Sequence, residues 1–206
     1  VIAEFDNGAE RAGLLSAQGA YDAAKAGQGT AALSSNTAAI TSGSAELSLE
    51  SSKTAALNAI NAAYVALDDA VRVKSDGAFR NPQTRDPQFI VNTNDSKLSI
   101  AIPQERGEIE VMLKAREAKN RTLTIDSDLI TELNAVESDT LTVKNFLDDL
   151  ALAYSRAIPD ATVPQATVDG FKAQNGLARS GVSGALSSIG GARSALNASI
   201  AASLVA

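Results

Sequence analysis

The side chains that ordinarily do chemistry are sparse in this sequence, and those present stand at spacings that suit structure better than catalysis. Histidine and cysteine are both absent from the 206 residues. Their absence removes imidazole acid–base chemistry, thiolate nucleophiles, disulfide staples and the usual zinc sites. Carboxylates stand in tandem at Asp68–Asp69 and Asp148–Asp149. Neighbours on a helix point in different directions, so neither pair can flank one substrate as a glycosidase pair must, and a solvated helix face is their expected place. "DSDLITE" (126–132) opens like a calcium loop with Asp126 and Asp128. It lacks the required glycine and puts Ile130 where an oxygen ligand belongs, which excludes an EF-hand.

Other motifs are equally quiet. Arg106-Gly107-Glu108 reads as a turn. Glu108 and Glu110 read as the exposed side of an amphipathic strand, opposite Ile109 and Val111. The glycines of the C-terminal tail are irregularly spaced and lack the Lys of a phosphate loop. Nothing local nominates a Ser–Lys nucleophile among the many serines. Asn94, Asn120 and Asn197 open Asn-x-Ser/Thr sequons, a number expected by chance in a chain this rich in those residues. The basic cluster Lys114, Arg116, Lys119 and Arg121 is interrupted by Glu117. It reads as a solvated loop rather than a surface for an acidic neighbour. No catalytic, cofactor-binding or metal-ligating residue is nominated, and no enzyme is expected.

Composition points the same way. The net charge of −6 and the pI of about 4.7 disfavour a phosphate-binding surface, so nucleic acid is not an expected partner. Aromatic residues make up 4% of the chain and Trp is absent, which suits thin, closely packed helices better than a thick core. The first residue is Val, as expected after removal of a leader or for an internal start, and no signal peptide is read beyond it.

The elements that must position these residues are long helices. In the tail, 184–206, Arg193, Asn197 and five serines argue against a membrane span. Its larger residues continue a stripe through Val182, Leu186, Ile189, Leu196, Ile200 and Leu204, spaced for one face of a helix. Leu129, Val136, Val143, Leu150 and Ala157 form one heptad row, and Leu133, Thr140, Leu147 and Tyr154 the other, which predicts a helix over about 127–158 capped by Ser127 or Asp128. Pro159 and Pro164 stop it. Leu57, Ile60, Tyr64, Leu67 and Val71 mark a second seam. Upstream, Leu33, Ile40 and Leu47 stand seven apart, with a slip of phase before Leu57.

Glycines divide the chain: six fall in 1–43, six in 170–206, and only Gly77 and Gly107 between. The acidic first segment (Glu4, Asp6, Glu10, Asp22 against Arg11, Lys25) complements the basic last one (Lys172, Arg179, Arg193), so the two ends are expected to pack together, within or between chains. Between the helices, "SDGAFRNPQTRDPQ" (75–88) is a loop. Leu98, Ile100 and Ile102 alternate with polar or small residues and predict a hairpin turning at Asn92–Asp95, with "RTLTID" (121–126) a last strand. The run Ile109, Val111, Leu113 fits either further sheet or a short helix.

The expected fold is therefore mainly α, with long seamed helices at both ends and a small β-rich insert: 1–74 helical, 75–126 β-rich, 127–206 helical and packed on the first. Stripes this long would lie half in water on a lone pair of helices, so copies of the chain are the expected partner. The assembly interface is assigned to Val182, Leu186, Ile189, Leu196, Ile200, Leu204, Leu129, Val136, Val143, Leu150, Leu57, Tyr64 and Val71. The functional expectation is a self-assembling structural subunit of an extracellular filament, tube or virion appendage. The plan resembles that of flagellin-kind filament subunits, as an analogy of plan without a sequence signature. The alternative is an adhesin or fibre-type module that displays residues 75–104 on a helical stalk to a surface receptor.

Overall fold

The computed structural model describes residues 7–205; Glu4 and Asp6 of the acidic segment lie outside them. The chain forms two compact units, one from the first 47 residues with 202–206, the other from 48–201. The elements in order are α1 (Gly8–Asp68), a π-helical turn (Asp69–Val73), a 3₁₀ turn (Asp76–Ala78), β1 (Phe79–Arg80), β2 (Gln88–Phe89), α2 (Ser96–Asn120), α3 (Leu129–Ser155) and α4 (Gln165–Ser203). The fold is mainly α with a small β insert in the middle, as its composition and periodicity predict. β1 and β2 pair antiparallel, Phe79 opposite Phe89 and Arg80 opposite Gln88.

α3 follows its heptads closely. Asp128 caps it by accepting from the Thr131 N–H at 3.1 Å, and both rows of the pattern are buried from Leu129 to Tyr154. Pro164 stands just before α4 and accepts from Thr167 and Val168 at 2.9 and 3.2 Å, closing that helix's first turn.

The insert holds less sheet than its sequence suggests. Residues 96–120 form α2, not a hairpin, and 121–126 are turns rather than a strand. The Leu98/Ile100/Ile102 alternation is coincidental: Leu98 and Ile102 are buried one turn apart, whereas Ile100 is 64% exposed. Buried positions then continue at Arg106, Ile109, Glu110, Leu113 and Arg116, a helical period. Asp95 secures the first turn by accepting from the Lys97 and Leu98 N–H groups at 3.0 and 3.4 Å, and Pro103 lies further on inside the helix, with no N–H to offer the Ser99 carbonyl.

In the larger unit, helix seams close on one another. One apolar cluster joins Leu67 and Val71 with Ile102, Ile109 and Leu113 of α2, Val143, Leu147 and Leu150 of α3, and Ala178 and Val182 of α4. A second joins Ala56 and Ile60 of α1, Leu129, Leu133 and Val136 of α3, and Ile189 and Leu196 of α4. The few aromatics are concentrated rather than spread. Phe146, Phe79, Phe89, Tyr154 and Phe171 run in a chain with ring centroids 5.4–6.2 Å apart.

Candidate assembly surface

Most residues assigned to assembly from sequence are core residues of the larger unit. Val182, Ile189, Leu196, Leu129, Val136, Val143, Leu150 and Val71 are all buried in their own chain, and Leu57, Tyr64, Leu186 and Ile200 are partly so. A stripe covered by neighbouring helices of its own chain has little apolar area left for another copy, so the eight buried positions serve the core, while the partly buried four keep some of their surface open. Leu204 alone of that set is open, at 80% exposure. α4 and the later part of α1 also meet through hydroxyls: Ser199 stands 2.7 Å from Ser52 and 3.4 Å from Ser48.

The charged residues are spent inside the unit as well. Arg106, read from sequence as part of a turn, is wholly buried on α2 and bonds Asp76 at 2.8 Å and Glu110 at 3.1 Å. Glu110, read as exposed, is buried and also receives Arg72 and Lys114. Its carboxyl is held below the ordinary carboxylate range: burial opposes ionisation, and the hydrogen bonds from Arg72 and Arg106 outweigh it. Arg116, expected in a solvated loop, is buried between Glu132 and Asp139 at 3.1 and 2.7 Å, while Lys119 shares Glu132 at 3.0 Å. Asp68 and Asp69 bind Arg72 and Lys74 one turn on, and Asp148 binds Lys144 and Arg179. Sequence alone missed the arginines because a polar side chain on an apolar face carries no periodic signal of its own.

Exposed apolar residues are scattered over the larger unit, at Val65, Ile100, Val111 and Leu177 among others, whereas on α1 within the smaller unit they form a row. Every residue from 7 to 41 is exposed. Leu33, Ile40 and Leu47 are 67%, 62% and 70% exposed, and Leu14, Leu15 and Tyr21 stand open too. The heptad row of Leu33, Ile40 and Leu47 extends backward through Ala26, Gly19 and Ala12. Ser16, Ala23, Thr30, Thr37 and Ser44 alternate with it four residues on, so the whole face is small or apolar. The Thr30 and Thr37 hydroxyls donate back to the Ala26 and Leu33 carbonyls at 3.0 and 2.9 Å, so these two donors are satisfied within the helix. A shallow groove on this unit is lined by Thr30, Leu33, Ser34, Thr37, Ala38, Thr41 and Val205.

Among the described residues no group of three or more His, Cys, Asp or Glu could hold a metal ion, and no helix is long and apolar enough to cross a membrane. Comparison with protein-family models, with curated proteins and with solved structures finds no match to this chain.

Proposed function

We propose that the chain is a structural subunit that associates with copies of itself through α1, as the building block of a filament, tube or appendage. One observation carries the reading: a helical stretch of more than thirty residues is exposed on all sides yet bears a continuous small-and-apolar row. The alanines of such a stretch favour a helix, but its glycines and hydroxyl-bearing residues weaken it. It holds Gly13, Gly19, Gly27, Gly29 and Gly43, each costing about 0.8–1 kcal/mol against Ala, together with many Ser, Thr and Asn residues. Most helical stability in proteins comes from packing an amphipathic face, so this stretch requires a partner. Nothing stands within 4 Å of where a Cβ would be at Gly19, the glycine of the row, which leaves room for a second backbone to approach closely. An identical helix presents the same seven-residue spacing and is a natural match.

The test is sedimentation and electron microscopy of the wild-type chain and of Leu33→Asp with Ile40→Asp, across a dilution series. Concentration-dependent oligomers or fibres that the paired substitution abolishes, with the larger unit still folded, support the reading. A wild-type chain that stays monomeric at tens of micromolar with its helix content intact overturns it.

A further inference from the structure

The α2–α3 contact contains a carboxyl that lacks a donor. Glu105 of α2 is half-buried, and its Oε2 is shielded from water with no hydrogen-bond partner. The Asp149 carboxyl of α3 stands within hydrogen-bonding reach. Two ionised carboxylates are both acceptors and repel, so such a pair is satisfied only when one of them carries a proton and donates it.

Five cations near this pair are engaged elsewhere, while Arg85, in the loop before β2, lies beside Gln104, Gly107 and Glu108 of α2. On α3, Lys144 binds Asp148 at 2.8 Å, and Arg179 of α4 binds the same carboxylate at 2.7 Å. Arg72 and Arg106 are committed to Glu110, Asp68 and Asp76, and Lys114 to Glu110. β2, also packed on α2, consists of Gln88 and Phe89 and carries no charge. The charged groups acting on Glu105 are Asp149 and Glu108 of its own helix, both acidic.

The geometry points to Glu105 and Asp149 sharing one proton across the α2–α3 contact, a joint that holds in mild acid and loosens as the pH rises through neutrality. Burial first, and then the Asp149 carboxylate, push the Glu105 carboxyl up to about 7. Its proton is bound more tightly in the folded than in the unfolded chain, so the stability it contributes is full below the ordinary glutamate range and is lost as pH rises towards and through 7. The depressed carboxyls Asp95, Glu110, Asp128, Asp148 and Asp160 act with the opposite sign and only in stronger acid. With no histidine in the chain, the interval from about pH 5 to 8 is otherwise nearly silent. The joint lies wholly within the larger unit and is independent of how copies associate.

The experiment is thermal unfolding of the wild type and of Glu105→Gln at a series of pH values in that interval. The wild-type midpoint is expected to fall as pH rises, and the glutamine variant, which keeps a donor at every pH, is expected to lose that fall. A carbon-13 titration of the wild-type glutamate carboxyls reads the same group directly, whether or not the variant folds. One glutamate titrating near neutrality, and returning to lower pH in Asp149→Asn, supports the shared proton. Parallel midpoint profiles for wild type and Glu105→Gln, or wild-type glutamates that all titrate in the ordinary range, overturn it.

Discussion

Arg72, in the π turn that ends α1, grips Glu110 of α2 through two hydrogen bonds, Nη2 to Oε1 at 2.8 Å and Nε to Oε2 at 3.3 Å. Glu110 also holds Arg106, a residue with no exposure to solvent, so one carboxylate links two guanidinium groups from two elements, whose other partners are Asp68 and Asp76. Removing one member of a buried ionic group is severe because the remainder stays buried and unpaired. Glu110→Ala is expected to cost about 3–5 kcal/mol in urea unfolding. Changing Glu110→Leu and Arg106→Met together with Asp76→Asn should recover much of that loss, since Arg72 keeps Asp68 and no charge of the group is left buried without its partner.

Phe146 anchors the aromatic chain, its ring stacked on Phe79 at 6.2 Å. It is buried where three helices meet the small sheet, and Ala in its place leaves a cavity that the surrounding helices can collapse into only partly. Phe146→Ala is expected to destabilise the larger unit by about 3–5 kcal/mol, read from the shift in its denaturation midpoint at unchanged slope.

Gly27 lies one residue beyond Ala26, about 100° round α1 from the heptad row. Nothing stands within 4 Å of its missing Cβ. Gly27→Ala should therefore raise helix stability by up to about 1 kcal/mol, visible as increased ellipticity on heating, and leave association unchanged. Gly19→Leu, placed in the row itself, should weaken association even though leucine is a good helix former.

Tyr154 is buried, and burial alone pushes its phenol above its ordinary pKa. The folded chain holds this proton more tightly than the unfolded chain. The contribution to stability is therefore complete below about pH 10 and is lost as pH rises beyond it. Ultraviolet titration should show Tyr154 ionising only with unfolding, and Tyr154→Phe should remove that component of the alkaline transition.

How far the fold is legible in the sequence depends on whether a helix is patterned by apolar residues alone. α3 can be read because Leu129, Val136, Val143 and Leu150 and their companions are large, regularly placed and all buried. α2 cannot, because two of its inward positions are the paired arginines Arg106 and Arg116, another is Glu110, and Pro103 interrupts it. A charge buried by a partner thirty residues away looks, in sequence, like a charge facing water. The same blindness puts the assembly seam on Val143 and Ile189. Periodicity finds a buried face but does not say whether the cover comes from the same chain: Leu33, Ile40 and Leu47, the loosest of the series, stand uncovered, as does Leu204 at the end of the tail stripe.

The five-residue turn at Asp69–Val73 closes with the Lys74 N–H donating to the Asp69 carbonyl at 3.0 Å, one residue further back than an α-helix reaches. It therefore behaves as a single extra residue accommodated without breaking the helix. Straightening this turn to ordinary α winding at unchanged length would rotate the chain beyond it by roughly a quarter of a revolution. Arg72 would then swing away from Glu110, and the strands would leave their seat beside Phe146. The phase of one widened coil thus sets the docking of the chain that follows it in the larger unit.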